Sequence, residues 1–292
     1  MLGNRQQQTT ESGAIALQAA GDIHLHNGIS LSDVRELCTL FLKNNFPQLR
    51  ADAQRAAEEN MRSFATMLEN RLANDIELIV LEKFREPDVQ ATINDAVQAS
   101  ARKGSGANPE ILVTLILERV AKQTGYFADM VLSEAVQVVP KLTGPQIALL
   151  SFIHTMKSMV FRAGTDLAKL EDAGKSMLPF LSPSFGMSNT QKRHLTYAGV
   201  ASTHYTFIES IFELQSEVYG FSGNSVARKL GITRSRIFKR KLKKSAPTYF
   251  HLLTQFDADN LSIINLTSVG QAIALANISN YAGKVDYTVW LK

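Results

Sequence analysis

Hydrophobic and polar positions follow two different periods along this chain. From Gly13 the odd positions carry Ile15, Leu17 and Ala19, then Gly21, then Ile23 and Leu25, while Gln18, Asp22, His24 and His26 occupy even ones. Period two with one apolar face predicts β-strand. Ala20-Gly21-Asp22 reads as a turn or bend between two short strands, and Asn27-Gly28 closes the segment. Residues 1–11 are polar, Gln-rich and without period, which predicts an irregular start. After Ser30, read as an N-cap with Asp33 in the first turn, the spacing of apolar residues lengthens to the helical period.

A first helix is expected from about Leu31 to Phe46, stopped by Pro47. Between Gln48 and Glu86 there is neither Gly nor Pro, and Leu49, Ala53, Ala57, Met61, Phe64, Leu68, Leu72, Ile76, Ile79 and Phe84 fall mostly three or four apart. That stripe predicts one amphipathic helix of roughly 55–60 Å at 1.5 Å per residue. One small domain does not cover so long a face, so packing against a second copy is expected. Further helices are expected over about Asp88 to Arg102, from Asn108-Pro109 onward, over about Tyr126 to Val139, and from Gln146 to Arg162 with Thr143 as cap. Asn189 to Ala198 and His204 to Tyr219 complete the series, with loops at Lys103 to Asn108 and Pro179 to Ser188. Tyr249 to Ile278 reads as helix, short strand pair, helix. The expected fold is mainly α in three parts: a β-strand oligomerisation arm at 1–30, a helical domain with the long helix at 31–142, and a helical, winged-helix-like region at 143–292.

Charge changes this picture in one place. The 292 residues carry a net +4. Between Glu217 and Asp257 there is no acidic residue, while Arg228, Lys229, Arg234, Arg236, Lys239, Arg240, Lys241, Lys243 and Lys244 all fall there. Without these nine, 22 of the 31 basic residues face 27 acidic ones, so the rest of the chain is net acidic. Basicity this local speaks of a partner rather than of solubility. The segment SVARKLGITRSRIFKRKLKK, Ser225 to Lys244, also resembles a helix-turn-helix. Ala227 fills the small position where two helices touch, Gly231 the left-handed turn, Ile237 the apolar position of the second helix, and Thr233 its cap. Leu230 and Ile232 flank the turn on the core side. Arg234, Ser235, Arg236, Lys239 and Arg240 are then expected on or near the surface that meets a groove and phosphates. A basic run that is simply a solvated face is the competing reading.

Other chemistry is not visible. Hydrophobic residues make up 45% of the chain, which fits a globular protein rather than a disordered one. The single cysteine, Cys38, excludes an internal disulfide framework and any multi-cysteine zinc site, and fits a reducing cytosol. It lies in LCTLFL and is expected to be a small buried hydrophobe. MLGNRQQQTT lacks the apolar stretch of a signal peptide, and no apolar run approaches the roughly 18 residues of a membrane span, so a cytoplasmic chain without membrane contact is expected. There is no Gly-rich phosphate loop and no Gly-x-Ser-x-Gly elbow. Asp22, His24 and His26 share a strand face, but two imidazoles and a carboxylate fall short of a tetrahedral set unless a symmetric oligomer completes it, so no metal is assigned. His154 and His204 are expected to be satisfied histidines of apolar helices, and Glu58, Glu59, Glu209 and Glu213 exposed helical carboxylates. No catalytic residue and no cofactor is assigned.

The stretch SGAIALQAAGDIHLHNGIS, running into SDVRELCTLFLKNNFPQL, resembles a short module of bacterial proteins of the phage-defence or abortive-infection type. Gln18, Gly21, Asp22, Ile23, Leu25 and Asn27 to Ser30 carry the likeness. The resemblance implies an intracellular bacterial protein, oligomeric, and no particular activity. Ile15, Leu17, Ala19, Ile23 and Leu25 are the apolar face that joins copies, because two short strands alone are marginal in water and need partners for their edges. Three functions are carried forward. The first is a non-enzymatic homo-oligomeric defence component whose basic surface touches DNA or RNA. The second is a helix-turn-helix transcriptional regulator, and the third, least favoured, a nuclease or other enzyme.

Overall fold

The computed structural model describes residues 31–122, 125–161, 166–204, 210–220, 234–283 and 285–291. The β-patterned arm, with Ile15, Leu17, Ala19, Ile23, Leu25 and the Asp22/His24/His26 face, lies outside them, as do Ser30, Arg228, Lys229 and the turn from Ala227 to Thr233. The protein is mainly α, with a single two-stranded sheet among the described residues. Its backbone separates into two units, 1–53 and 54–292.

Helix α1, Leu31–Asn74, begins in the first unit. Asp33 in its first turn complements the positive end of the helix dipole. The helix passes straight through Pro47, where a stop was expected. Proline removes one backbone bond and crowds the carbonyl four residues earlier, at a cost of about 3 kcal/mol. On either side lie good helix formers, including RADAQRAAEENM, and propagation across one defect is easier than nucleating a new helix after it. Cys38 is exposed, not buried. Val34, Leu37, Leu40 and Leu49 are exposed as well, at 44–57%. At its other end α1 stops at Asn74, well short of Glu86. Two 3₁₀ turns follow, Ile76–Leu78 and Leu81–Arg85, because the intervening β-branched Ile79 and Val80 pair with the chain at Val120 to Lys122.

The second unit is organised around α11, Ser268–Ala282. Its residues Ala272 to Ile278 are buried all round, which marks a central helix. It packs on α5 (Gly144–Ser158), on α3 (Pro109–Arg119) and on α4 (Tyr126–Val138), while α2 (Pro87–Lys103) covers α3 and α4. Thr143 caps α5 as expected, in a reciprocal pair with Gln146. Asn108 precedes α3 as expected but in a left-handed conformation, and its amide donates to Leu142 O at 2.9 Å instead of capping. The turn at Pro140 to Pro145, read from sequence as a boundary, lies inside this unit.

Around this centre run α6 (Leu167–Leu181), α7 (Asn189–Tyr197), α8 (Ile211–Val218), α9 (Arg234–Ser245) and α10 (Pro247–Ala258). Strand β1, Ala201–Thr203, pairs antiparallel with β2, Ile264–Leu266, with Ala201 opposite Leu266. The strand pair expected within Tyr249 to Ile278 is thus one strand there and a partner far upstream. Two contacts bring them together. Thr267 donates from N to Val200 O at 3.1 Å and from Oγ1 to Gly199 O at 2.8 Å. Gly270 then sits so close to Val200 that a Cβ would meet its carbonyl oxygen at 1.9 Å.

Candidate functional site

The basic segment forms α9. Phe238 and Leu242, four apart, and Ala246 beyond them are fully buried, so this face seats the helix on α8, α10 and α6. The other side carries Arg236, Lys239, Arg240, Lys241, Lys243 and Lys244, all exposed. At 100° per residue these cover about half the helix circumference or slightly more. Among the described residues, Arg236, Arg240, Lys243 and Lys244 make no ion pair. Lys243 and Lys244 lie in the last turn, where the dipole welcomes cations; the first turn has no acidic residue and instead holds Arg236. Positive charge at the positive end of a helix is unfavourable alone and favourable beside an anion.

Two of the expected contacts change. Ser235 is buried and faces inward, one turn before Phe238 and Leu242, so it does not belong to the exposed surface. Lys239 lies with Nζ 4.3 Å from the centre of the Phe212 ring, a cation–π contact that fixes α9 to α8. Ile237, placed as the packing residue, is only half-buried. The Arg234 side chain, Arg228 and Lys229 lie outside the described side chains.

The platform beneath α9 is held together by identifiable contacts. Its successor α10 begins at Pro247, and Ala246 offers no side-chain cap. Glu171 of α6 supplies one across the helix pair: Thr248 donates to its carboxylate from N at 2.8 Å and from Oγ1 at 2.7 Å. Burial pushes the Glu171 carboxyl upward, but the hydrogen bonds from Thr248 and Tyr249, with Lys175 nearby, hold it below the usual range. Gly174 lets α6 and α10 cross, since a Cβ there would lie 2.8 Å from Tyr249 N. Tyr249 donates to Gln215 Oε1 at 2.7 Å, and Gln215 donates onward to Met156 O at 2.7 Å.

A sequence model of a protein family of unknown function matches residues 28–236 and 229–291. The chain belongs to that family. Its match begins at Gly28, the last residue of the β-patterned segment, and its two parts overlap over 229–236, a stretch that includes the first residues of α9. No curated protein and no solved structure matches the chain.

One cluster of this family member was missed in the sequence, and one histidine differs from its expectation. Arg119 is buried at the end of α3 and reaches Glu86 and Asp88, each at 3.1 Å, and Asp129 at 3.3 Å. Ser133 donates to Asp88 at 2.8 Å, and Lys83 donates to the Arg119 and Ala121 carbonyls at the helix end. The carboxylates are engaged by these cations, so the cluster braces α2, α3 and α4 rather than offering a free acid or base. The partners lie up to 36 residues from Arg119, and no local spacing announces them. That histidine is His154, only 1% exposed, with neither ring nitrogen hydrogen-bonded among the described residues. It was expected to be satisfied; desolvation in its apolar site lowers its pKa from the ordinary 6.5 to about 4. His204 follows β1 and is exposed beside Ser202, not within an apolar helix. Among the described residues no group of three His, Cys, Asp or Glu is placed to hold a metal ion, and no helix is long and apolar enough to cross a membrane.

Proposed function

We propose that this protein is a non-enzymatic, homo-oligomeric component of a phage-defence or abortive-infection type system, acting in the cytoplasm of a bacterium, with α9 as its contact to nucleic acid. One observation carries the nucleic-acid reading. Arg236, Arg240, Lys243 and Lys244 face solvent from one helix with no acidic partner among the described residues, and the helix start lacks the negative charge its dipole favours. A phosphate backbone supplies that charge along the whole arc. The oligomeric reading draws on the exposed Val34, Leu37, Leu40 and Leu49 of the first unit, which a second copy would cover, and on the β-patterned arm.

The test is charge reversal of Arg236, Arg240, Lys243 and Lys244 to Glu, with titration of duplex DNA, single-stranded DNA and RNA at several salt concentrations. None of the four is buried, so folding is retained. Binding by the unaltered protein is expected to weaken with salt, by about 0.9 in the log–log slope for each duplex phosphate contact. The reversed protein is expected to lose it. Binding that survives reversal, or an unaltered protein that binds none of the three, overturns the reading. Binding confined to one DNA sequence would instead favour the transcriptional regulator.

A further inference from the structure

A cleft of about 340 Å³ opens where the starts of α3 and α5 meet the ends of α6 and α11. Ile111, Pro145, Ile147, Ala148, Phe180 and Pro183 give it apolar walls. Its polar lining is Ser105, Asn108, Glu110, Asn277 and Tyr281. We propose that this cleft binds an organic cation, a primary ammonium group carried on an apolar body. It shares no residue with α9.

The hydrogen-bonding groups make the first argument, because the amide and carboxylate atoms left open are acceptors. Asn277 is only 9% exposed, and its Nδ2 donates to Ser151 Oγ at 2.8 Å. The single Ser151 proton goes to Ile147 O at 3.0 Å, so the amide has to donate to that hydroxyl, and Oδ1 is the atom left over. No donor among the described residues reaches that oxygen. Asn108 repeats the pattern: its Nδ2 donates to Leu142 O at 2.9 Å, and its Oδ1 has no donor among the described residues. Glu110 adds a carboxylate that makes no ion pair among the described residues. Two amide oxygens and a carboxylate suit a group that only donates, and an ammonium has three protons and no lone pair. The hydroxyls of Ser105 and Tyr281 accept as readily as they donate.

Electrostatics makes the second. An anion is the usual guest of a helix start, and two starts open here. Pro109 and Pro145 remove an N–H from each. The next N–H groups are taken, Ile111 by Asn108 O at 3.0 Å, Gln146 by Thr143 Oγ1 at 3.4 Å and Ile147 by Thr143 O at 3.0 Å. The ends of α6 and α11, neither with a basic residue in its last turn, oppose the two starts with negative dipole ends. Among the described lining residues only Glu110 carries a formal charge. Phe180 and Tyr281 stack at 4.9 Å between centroids, and Tyr281 is still 63% exposed. An uncovered aromatic ring attracts a cation through its face. The volume lies at the lower end of the roughly 300–1,000 Å³ of small-molecule sites.

Calorimetric titration of the full-length protein at pH 7 with phenethylamine, phenethyl alcohol and phenylacetate tests this, because the three share an aromatic stem and differ in head-group charge. The expected result is saturable binding of the amine, as its ammonium ion, with a Kd of roughly 1 mM or below, and binding of the alcohol and the acid at least tenfold weaker. Glu110→Gln, at an exposed position, is expected to melt close to the parent and to weaken the amine at least tenfold. Tyr281→Ala, exposed as well, is expected to weaken it measurably. Tighter binding of phenylacetate than of the amine overturns the proposal in favour of an anion site at the helix starts. Alcohol binding as tight as that of the amine overturns it in favour of a purely apolar cleft. No binding of the amine, or unchanged amine affinity in a folded Glu110→Gln protein, overturns it outright.

Discussion

His154 shows what a single side chain contributes here. Its pKa falls from 6.5 to about 4 because burial disfavours the imidazolium. Between these values the unfolded chain binds a proton that the folded chain refuses, so stability is lost as pH falls through that range. Unfolding free energy is therefore expected to drop by about 2 kcal/mol between pH 7 and pH 5 on account of this residue. Glu171, whose pKa is lowered from 4.5, contributes stability that is lost only at still lower pH, which leaves the window to His154. Urea midpoints at pH 7 and pH 5 check this: His154→Phe should flatten the difference, and an undiminished pH dependence would contradict it. Cys38 and His154 also show the limit of reading residues one at a time. An apolar context suggested that one was buried and the other satisfied, yet Cys38 is exposed and His154 has no hydrogen-bond partner among the described residues.

At the scale of elements, signals within a turn or two of each other were legible. Thr143 with Gln146 marks the start of α5, Asn108-Pro109 the start of α3, and the apolar run from Tyr126 the whole of α4. Continuity was not legible. Pro47 reads as a terminus, but the helix on either side tolerates the missing bond. Nor was the cap of α10, because Glu171 stands on a different helix. Glu171→Ala would leave the Thr248 donors unpaired in a half-buried site, at a cost of about 1–3 kcal/mol, and urea denaturation measures it. Gly270→Ala should cost more than that, since its Cβ would collide with the Val200 carbonyl and force β1 away from α11. A Gly270→Ala protein as stable as the parent would show that this packing is wrong.

At the scale of the whole molecule, the assembly reading rests on the first unit. The first unit combines exposed apolar side chains along α1 with the β-patterned arm. If the arm clasps copies together, deleting residues 1–28 lowers the mass in solution to that of a smaller assembly, as light scattering would record. An unchanged mass would sink that role for the arm. A dimer or larger ring would also multiply the α9 surfaces, and linked sites bind a common polyanion far more tightly than one alone.

The helical class, the sites of most helix starts and the concentration of positive charge on one short segment were determined by the sequence itself. Each depends on residues within one or two turns, where side-chain period, caps and dipole act directly. Which Arg236-to-Lys244 positions face solvent followed once the burial of Phe238 and Leu242 was known. Only the tertiary structure decided the rest. The pairing of Ala201 with Leu266, the contacts of Arg119 with Glu86 and Asp88, and the Glu171 cap join residues 30 to 80 positions apart, and His154 is left without a partner among the described residues. Such arrangements are selected by dense packing of whole elements, in which a buried polar group takes whatever partner the neighbouring helix brings. No local period encodes that choice.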